Sequence, residues 1–295
     1  MQFAAAPKRW NDRSGISASQ LKWLALAAMF LDHLNAVFGA SLYRGAWLEP
    51  ILSTGYSGWM HWVGRLAFPI FAFLVARGVR HTRSLTRYAV RLGLFALLAQ
   101  IPYTMALHGL NSARIGDPEG YPLLLFSWSN PNILFTLLLG LLAITLWEKQ
   151  RQNRLWGLGV PIPFALAACF SCDYGMLGVL LIFLLWRFPT RRGTGTVIVA
   201  FSALNYLVEW NRVSQLRFSA VRDLLWNVQQ LVPWLVHPSV SLFMPFFFSC
   251  ASLVFLLRYN GARGHTNRWL FYVFYPAHLF ALALARELMI CLAAG

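Results

Sequence analysis

Three stretches of the sequence carry side chains that can move a proton or hold a charge among neighbours that cannot. In "FLDHLNAVFG" (30–39), Asp32, His33 and Asn35 interrupt an apolar run. In "GWMHWVGRLAFP" (58–69), His61 and Arg65 stand one helical turn apart. In "FYVFYPAHLF" (271–280), Tyr275 and His278 sit at i, i+3, with Tyr272 one turn earlier and Pro276 between them. A histidine, with an unperturbed pKa near ~6.5, can accept a proton close to neutrality. An arginine keeps its charge and must be paired or wetted when it leaves water. Weaker candidates are Asn130 and Asn132 in "SWSNPNILF" and Tyr174 in "SCDYGMLG". The asparagines also suit a helix N-cap, and Tyr174 with Gly175 and Gly178 also suits tight packing. From the residues alone, this set fits acid–base catalysis, a proton relay, or polar locks between helices.

The spacing says how these groups face one another. Ala25, Ala28, Asp32, Asn35 and Gly39 fall on one helical stripe, whose small residues allow a neighbouring helix to approach closely. That stripe is expected to face protein. His33 is turned about 100° from Asp32, so the two point toward different partners. Arg65 lies more than two turns into a helix that starts near Ser57, and Asp32 is its expected counter-ion. Such a pair can also do no more than lock two helices, since a buried ion pair stabilises poorly compared with apolar packing. Pro276 releases a backbone carbonyl inside its helix, which a neighbouring helix or water must satisfy.

The elements that hold these residues are membrane helices. The chain of 295 residues is 58% hydrophobic and only 12% charged, with a mean hydropathy of +0.54. A spanning helix takes about 20 mostly apolar residues. Segments near 20–40, 57–79, 86–107, 131–148, 155–171, 174–188, 194–210, 239–257 and 269–292 meet or approach that length. The fifth and sixth are short and meet at "CFSCDYG". The amphipathic, Trp-containing stretch 222–238 is expected to lie flat at the interface, or else to add a span. The sequence thus predicts an all-α, polytopic transmembrane helix bundle of about nine to ten spans. It reads as one domain over 20–292 behind a cytoplasmic tail over 1–19.

The net charge of +15 follows the same topology. Lys8, Arg9, Lys22, Arg77, Arg80, Arg83, Lys149, Arg187 and Arg191 all fall on one side, while Arg44, Arg114, Arg212, Arg217 and Arg222 fall on the other. The basic side is the cytoplasmic one by the positive-inside rule, which puts the N-terminus inside. The basic surplus is then a topology signal, and nucleic acid is not expected as a partner. "MQFAAAPKRWNDRSG" is polar and lacks the apolar core of a cleavable signal, so the first span is expected to direct its own insertion. Cys169, Cys172, Cys250 and Cys291 form no framework, and a lone CxxC without a second pair gives no reason to expect a metal.

Read in order from residue 24 to 284, "LALAAMFLDHLNAVFG", "VGRLAFPIFAFLVARGVRHTR", "NILFTLLLGLLAI", "DYGMLGVLLIFLL" and "FYVFYPAHLFALAL" resemble the TraX family of conjugation-associated membrane proteins. The Asp-His pair, the Gly-Arg-x-Ala-Phe-Pro segment and the Tyr-x-x-His-Leu near the C-terminus carry the likeness. The family's name-giving member acetylates the N-terminus of F-type pilin, and the family is distantly similar to multi-pass acyltransferases that use cytosolic acetyl-CoA. The resemblance implies a bacterial inner-membrane N-acetyltransferase with coenzyme A, a pilin subunit and membrane lipid as partners. By it, Asp32, His33, Arg65 and His278 form the catalytic set. A histidine would serve as base, and Arg65 would hold the oxyanion or orient a carboxylate. Arg77, Arg80, His81 and Arg83 would meet the phosphates of acetyl-CoA, and Tyr275, Asn132 and Tyr174 would border the substrate. Two alternatives stand beside it: a proton-coupled transporter, which usually shows internal repeats not found here, and a noncatalytic pilin-assembly factor.

Overall fold

The computed structural model describes residues 15–42, 58–108, 130–214, 240–265 and 268–294. The expected interfacial stretch 222–238, the long connections near 40–56, 108–130 and 211–238, and the tail 1–19 lie wholly or largely outside them. The described residues form ten α-helices and one 3-10 turn. These are α1 (Ala18–Leu42), α2 (Trp59–Gly64), α3 (Ala67–His81), α4 (Leu85–His108) and α5 (Ile133–Lys149). The 3-10 turn Arg154–Gly159 follows, then α6 (Pro161–Cys169), α7 (Gly175–Arg187), α8 (Arg191–Ser214), α9 (Val240–Leu256) and α10 (Arg268–Ala294). Among the described residues the one extended pairing is an isolated bridge between Ile16 and Tyr259.

Among the described residues four stretches are long and apolar enough to cross a membrane: Ala18–Gly39, Trp59–His81, Leu85–Leu107 and Trp269–Leu292. Arg154–Cys169, Gly175–Arg187 and Phe243–Leu256 are apolar but shorter. The helical class expected from the sequence is therefore present, while helices of full spanning length are fewer than the nine to ten spans expected. The 13 residues of α7 reach about 20 Å, short of a ~30 Å hydrocarbon core.

Prolines account for two breaks inside expected spans. Pro69 has no N–H to return to the Arg65 carbonyl, and its ring crowds that carbonyl. At the break Arg65 and Leu66 donate instead to the carbonyls of Trp62 and Val63, 3.1 Å away in both cases, a tighter 3-10 pattern. The expected segment 57–79 becomes α2 and α3, with Arg65 at the joint. Farther along, Pro161 opens α6 at its first position, so 155–171 divides into a 3-10 turn and a short helix.

α1 packs against α2, α3 and α10; α10 lies along α4; α5 lies on α4 and α7; and α8 joins α7 to α9. Leu21, Ala25, Ile70, Phe73, Ile182 and Leu279 lie at the centre of the core. The outer face of α4, with Leu94, Leu97, Leu98 and Ile101 exposed, is as apolar as the interior, which suits hydrocarbon better than water. At the basic end, Arg77 Nη2 donates to the Pro189 carbonyl at 2.6 Å and Arg80 Nη2 to the Trp186 carbonyl at 2.5 Å. These contacts satisfy carbonyls at the C-terminal end of α7 and tie it to α3. A capping box opens α1: the Ser17 N–H donates to Gln20 Oε1 at 2.8 Å, and the Gln20 N–H to Ser17 Oγ at 3.4 Å.

Candidate active site

The small-residue stripe of α1 is the buried one: Ala25, Ala28 and Asn35 are at most 2% exposed. Halfway along it, Asp32 faces α2. Its Oδ1 accepts from His61 Nδ1 at 2.6 Å and its Oδ2 from Arg65 Nη2 at 2.5 Å. The approach is close because residue 64 is glycine; a Cβ there would stand 2.4 Å from the Asp32 Cβ. The expected counter-ion of Arg65 is thus in contact with it. The second partner, His61, was visible in the sequence only as a neighbour of Arg65 one turn away. Its contact is with another helix, and sequence spacing carries no signal for that.

Arg65 has a third neighbour. Its Nη1 donates to Tyr174 Oη at 2.9 Å. Tyr174 belongs to the turn between α6 and α7, where Ser171 and Tyr174 both adopt left-handed backbone conformations (φ 49° and 59°). Non-glycine residues held there cost on the order of 1–3 kcal/mol each. The surroundings that hold this turn are on view: the Tyr174 ring stacks on Phe68 at 4.1 Å, and Thr136 Oγ1 donates to the Asp173 carbonyl at 2.7 Å. The small residue Gly178 lets α7 approach α5, since a Cβ there would meet Thr136 at 2.7 Å. The guanidinium is therefore fixed on two sides. Its Nε is buried and has no hydrogen-bond partner among the described residues.

His33, one residue on from Asp32, faces α10 as the helical rotation requires. Its Nδ1 lies 2.8 Å from His278 Nε2, and the two rings stack with centroids 5.0 Å apart. His278 Nδ1 lies 2.8 Å from the Phe274 carbonyl, which can only accept. In the neutral pair His278 thus carries its proton on Nδ1, His33 donates its own Nδ1–H to His278 Nε2, and His33 Nε2 is left as the acceptor nitrogen. Tyr275 packs edge-on to both rings, 6.0 Å from His33 and 5.6 Å from His278. Adjacent residues of α1 therefore anchor two separate imidazole pairs, His61–Asp32 and His33–His278.

The other predicted residues are placed apart from this centre. Asn132 is fully buried and caps α5: its Oδ1 accepts from the Leu134 N–H at 3.0 Å. Its Nδ2 donates to the Ala96 carbonyl at 2.8 Å and to Gln100 Oε1 at 2.9 Å, pinning α5 to α4. Arg77 and Arg80 make the carbonyl contacts described above, while His81 and Arg83 are exposed at the same end. Between the two regions an apolar cavity is lined by Leu26, Met29, Phe71, Leu137, Phe271 and Tyr275. Met29 is one turn and Leu26 two turns from His33 toward the basic end, roughly 6 and 10 Å at the rise of an α-helix. Among the described residues no three His, Cys, Asp or Glu side chains gather as metal ligands do.

Chemically, the centre offers a charge-compensated carboxylate, three imidazoles of fixed orientation and a buried cationic N–H donor in an apolar surrounding. Groups of these types can do acid–base work and stabilise an anion. Comparison with known proteins bears on what it belongs to. No solved structure matches the chain. A probable fimbrial assembly protein, FimC of serogroup H1 from Dichelobacter nodosus, is 30% identical over 276 residues, covering 92% of this chain and 96% of the relative. The family described as TraX protein matches residues 17–286, a stretch that contains every residue of the site. The chain belongs to the TraX family.

Proposed function

We propose that this protein is a multi-pass acetyltransferase of the bacterial inner membrane, with its N-terminus in the cytoplasm. It moves an acetyl group from cytosolic acetyl-CoA to the N-terminal amine of a pilin at the outer side. The observation that carries the reading is Arg65, a guanidinium whose buried Nε–H has no hydrogen-bond partner among the described residues, beside the ordered His61–Asp32 and His33–His278 pairs inside an apolar bundle. A structural ion pair needs the Arg65–Asp32 contact alone. Acyl transfer needs a cationic donor for the oxyanion and a base for the amine, and both are at hand. Family membership and the name of the Dichelobacter relative support a pilin as the acceptor.

In this scheme coenzyme A binds at the basic end. Arg83 and His81 are exposed there for its phosphates, and Arg77 and Arg80 add their charge beside them. The pantetheine arm enters the apolar cavity and brings the thioester beside Tyr275, His33 and Arg65, roughly 15–20 Å from the inner interface of a ~30 Å core. The acceptor enters from the opposite end, between Tyr174 and Tyr275, while Asn132 sets the position of α5. The shorter helices complete the nine to ten passes, with α6 and α7 as a hairpin whose turn reaches Arg65. Lipid covers the apolar exterior.

The name of the relative also favours a second reading, a noncatalytic factor that docks pilin during assembly. Titration calorimetry of the purified protein with coenzyme A separates the two. The enzyme reading requires saturable binding that weakens when Arg83 is replaced by alanine. Pilin binding with no affinity for coenzyme A would leave the docking factor standing.

A further inference from the structure

We propose that His61 is the base that takes the proton from the acceptor amine, with Asp32 as the carboxylate that orients it. This rests on the acetyl-transfer reading above. The carboxylate Oδ1 can only accept, so the 2.6 Å contact puts the proton of a neutral His61 on Nδ1 and makes Nε2 the acceptor nitrogen. Arg65 Nη2, 3.5 Å from the same Nδ1, is also a donor and cannot compete for that proton. A buried carboxylate on one imidazole nitrogen fixes the tautomer and the ring, and stabilises the imidazolium that forms when the other nitrogen takes a proton. His33 lacks this support, because its Nδ1 partner is the uncharged His278.

Charge and position point the same way. Arg65 offsets the charge of Asp32, so that carboxylate does not by itself hold a second proton on His61 before an acceptor arrives. Protonation adds one positive charge to this cluster, which the side chains of Tyr174 and Asp173 face from the α6–α7 turn. His61 is the third residue of α2, roughly 24 Å along the helices from Arg77, at the end opposite the basic one. It is thus on the side from which the acceptor enters.

The step balances as follows. The acceptor arrives as an ammonium, His61 Nε2 takes one proton from it, and the neutral nitrogen then attacks the thioester carbonyl, forming the C–N bond and an oxyanion held by the Arg65 Nε–H. The second proton of that nitrogen passes by way of His33 Nε2, the acceptor nitrogen of its pair, to the thiolate that leaves as the C–S bond breaks. Amide and free thiol result, and His61 returns its proton to the outer solvent.

The test uses the full-length protein in liposomes with acetyl-CoA and two acceptors. One is a synthetic peptide carrying the N-terminal residues of the mature pilin. The other is methoxyamine, which is almost wholly unprotonated at neutral pH. His61→Asn keeps an N–H toward Asp32 but has no basic nitrogen. It should lose on the order of a hundredfold or more in transfer to the peptide while staying within about tenfold of the parent on methoxyamine, as loss of a general base predicts. His33→Asn should lower both in parallel. Equal losses on the two acceptors for His61→Asn, or undiminished transfer to the peptide, would overturn the assignment. A parent protein that transfers to neither acceptor would overturn the acetyl-transfer reading, and the assignment with it.

Discussion

Replacing Asp32 tests the electrostatic logic of the site most sharply. The carboxylate accepts from two charged or polarised donors, His61 at 2.6 Å and Arg65 at 2.5 Å, and the side chains of Asp32 and Arg65 are only 19% and 20% exposed. A hydrogen bond to a charged group is worth about 1.5–3 kcal/mol, and Asp32→Ala removes two of them. It also leaves Arg65 in an apolar bundle without its ion-pair partner, holding the Tyr174 hydroxyl at 2.9 Å with the Asp173 carboxyl nearby. Breaking one side of a buried pair costs roughly 3–5 kcal/mol, and this change belongs in that range. Arg65→Ala strands the carboxylate in the same way, although His61 still donates to it, so its cost lies toward the lower end. The double variant Asp32→Asn, Arg65→Gln has no uncompensated charge and should recover about 1.5–3 kcal/mol relative to the sum of the single neutral substitutions. Reversible unfolding in mixed micelles, followed by tryptophan fluorescence, gives the four free energies of the cycle. Single losses that add to within about 0.5 kcal/mol would refute the contact.

Three further outcomes follow from particular contacts. Gly64→Val forces a branched side chain into the space held by the Asp32 Cβ and should destabilise the fold by about 1–3 kcal/mol, measured by the same unfolding. Asn132→Ala removes the α5 cap and the two Nδ2 bonds that pin α5 to α4, costing about 2 kcal/mol in that titration while leaving coenzyme A affinity unchanged. Pro69→Ala restores a donor for the Arg65 carbonyl and should straighten α2 into α3, moving the guanidinium away from Tyr174. A spin-label distance between positions 60 and 80 that lengthens in Pro69→Ala supports this, and an unchanged one contradicts it.

Much of the site was legible because helical geometry is regular. The stripe through Ala25, Ala28, Asp32 and Asn35 gave the buried face of α1, and a turn of about 100° separated Asp32 from His33. The depth of Arg65 called for a counter-ion, and few acidic residues compete for that role. His61 was not legible as a member of the site, since its bond to Asp32 depends on the close approach of two helices at Gly64. Nor was the capping of α7 by Arg77 and Arg80: a run of basic residues at a helix end reads as topology, and its carbonyl partners lie far along the chain. Span counting fared less well than class. Hydropathy windows pass over the prolines that divide 57–79 and 155–171, and they do not register how far the 13 residues of α7 fall short of a ~30 Å core.

The central claim, acetyl transfer to a pilin N-terminus, is tested most directly by intact-mass and peptide mass spectrometry of the mature pilin. Matched cells with the intact gene, without it, and with it restored as the His61→Asn form would be compared. The account predicts a pilin heavier by one acetyl group, placed on the N-terminal residue, only where the intact protein is present. A mature pilin of identical mass in all three, acetylated or not, would contradict it.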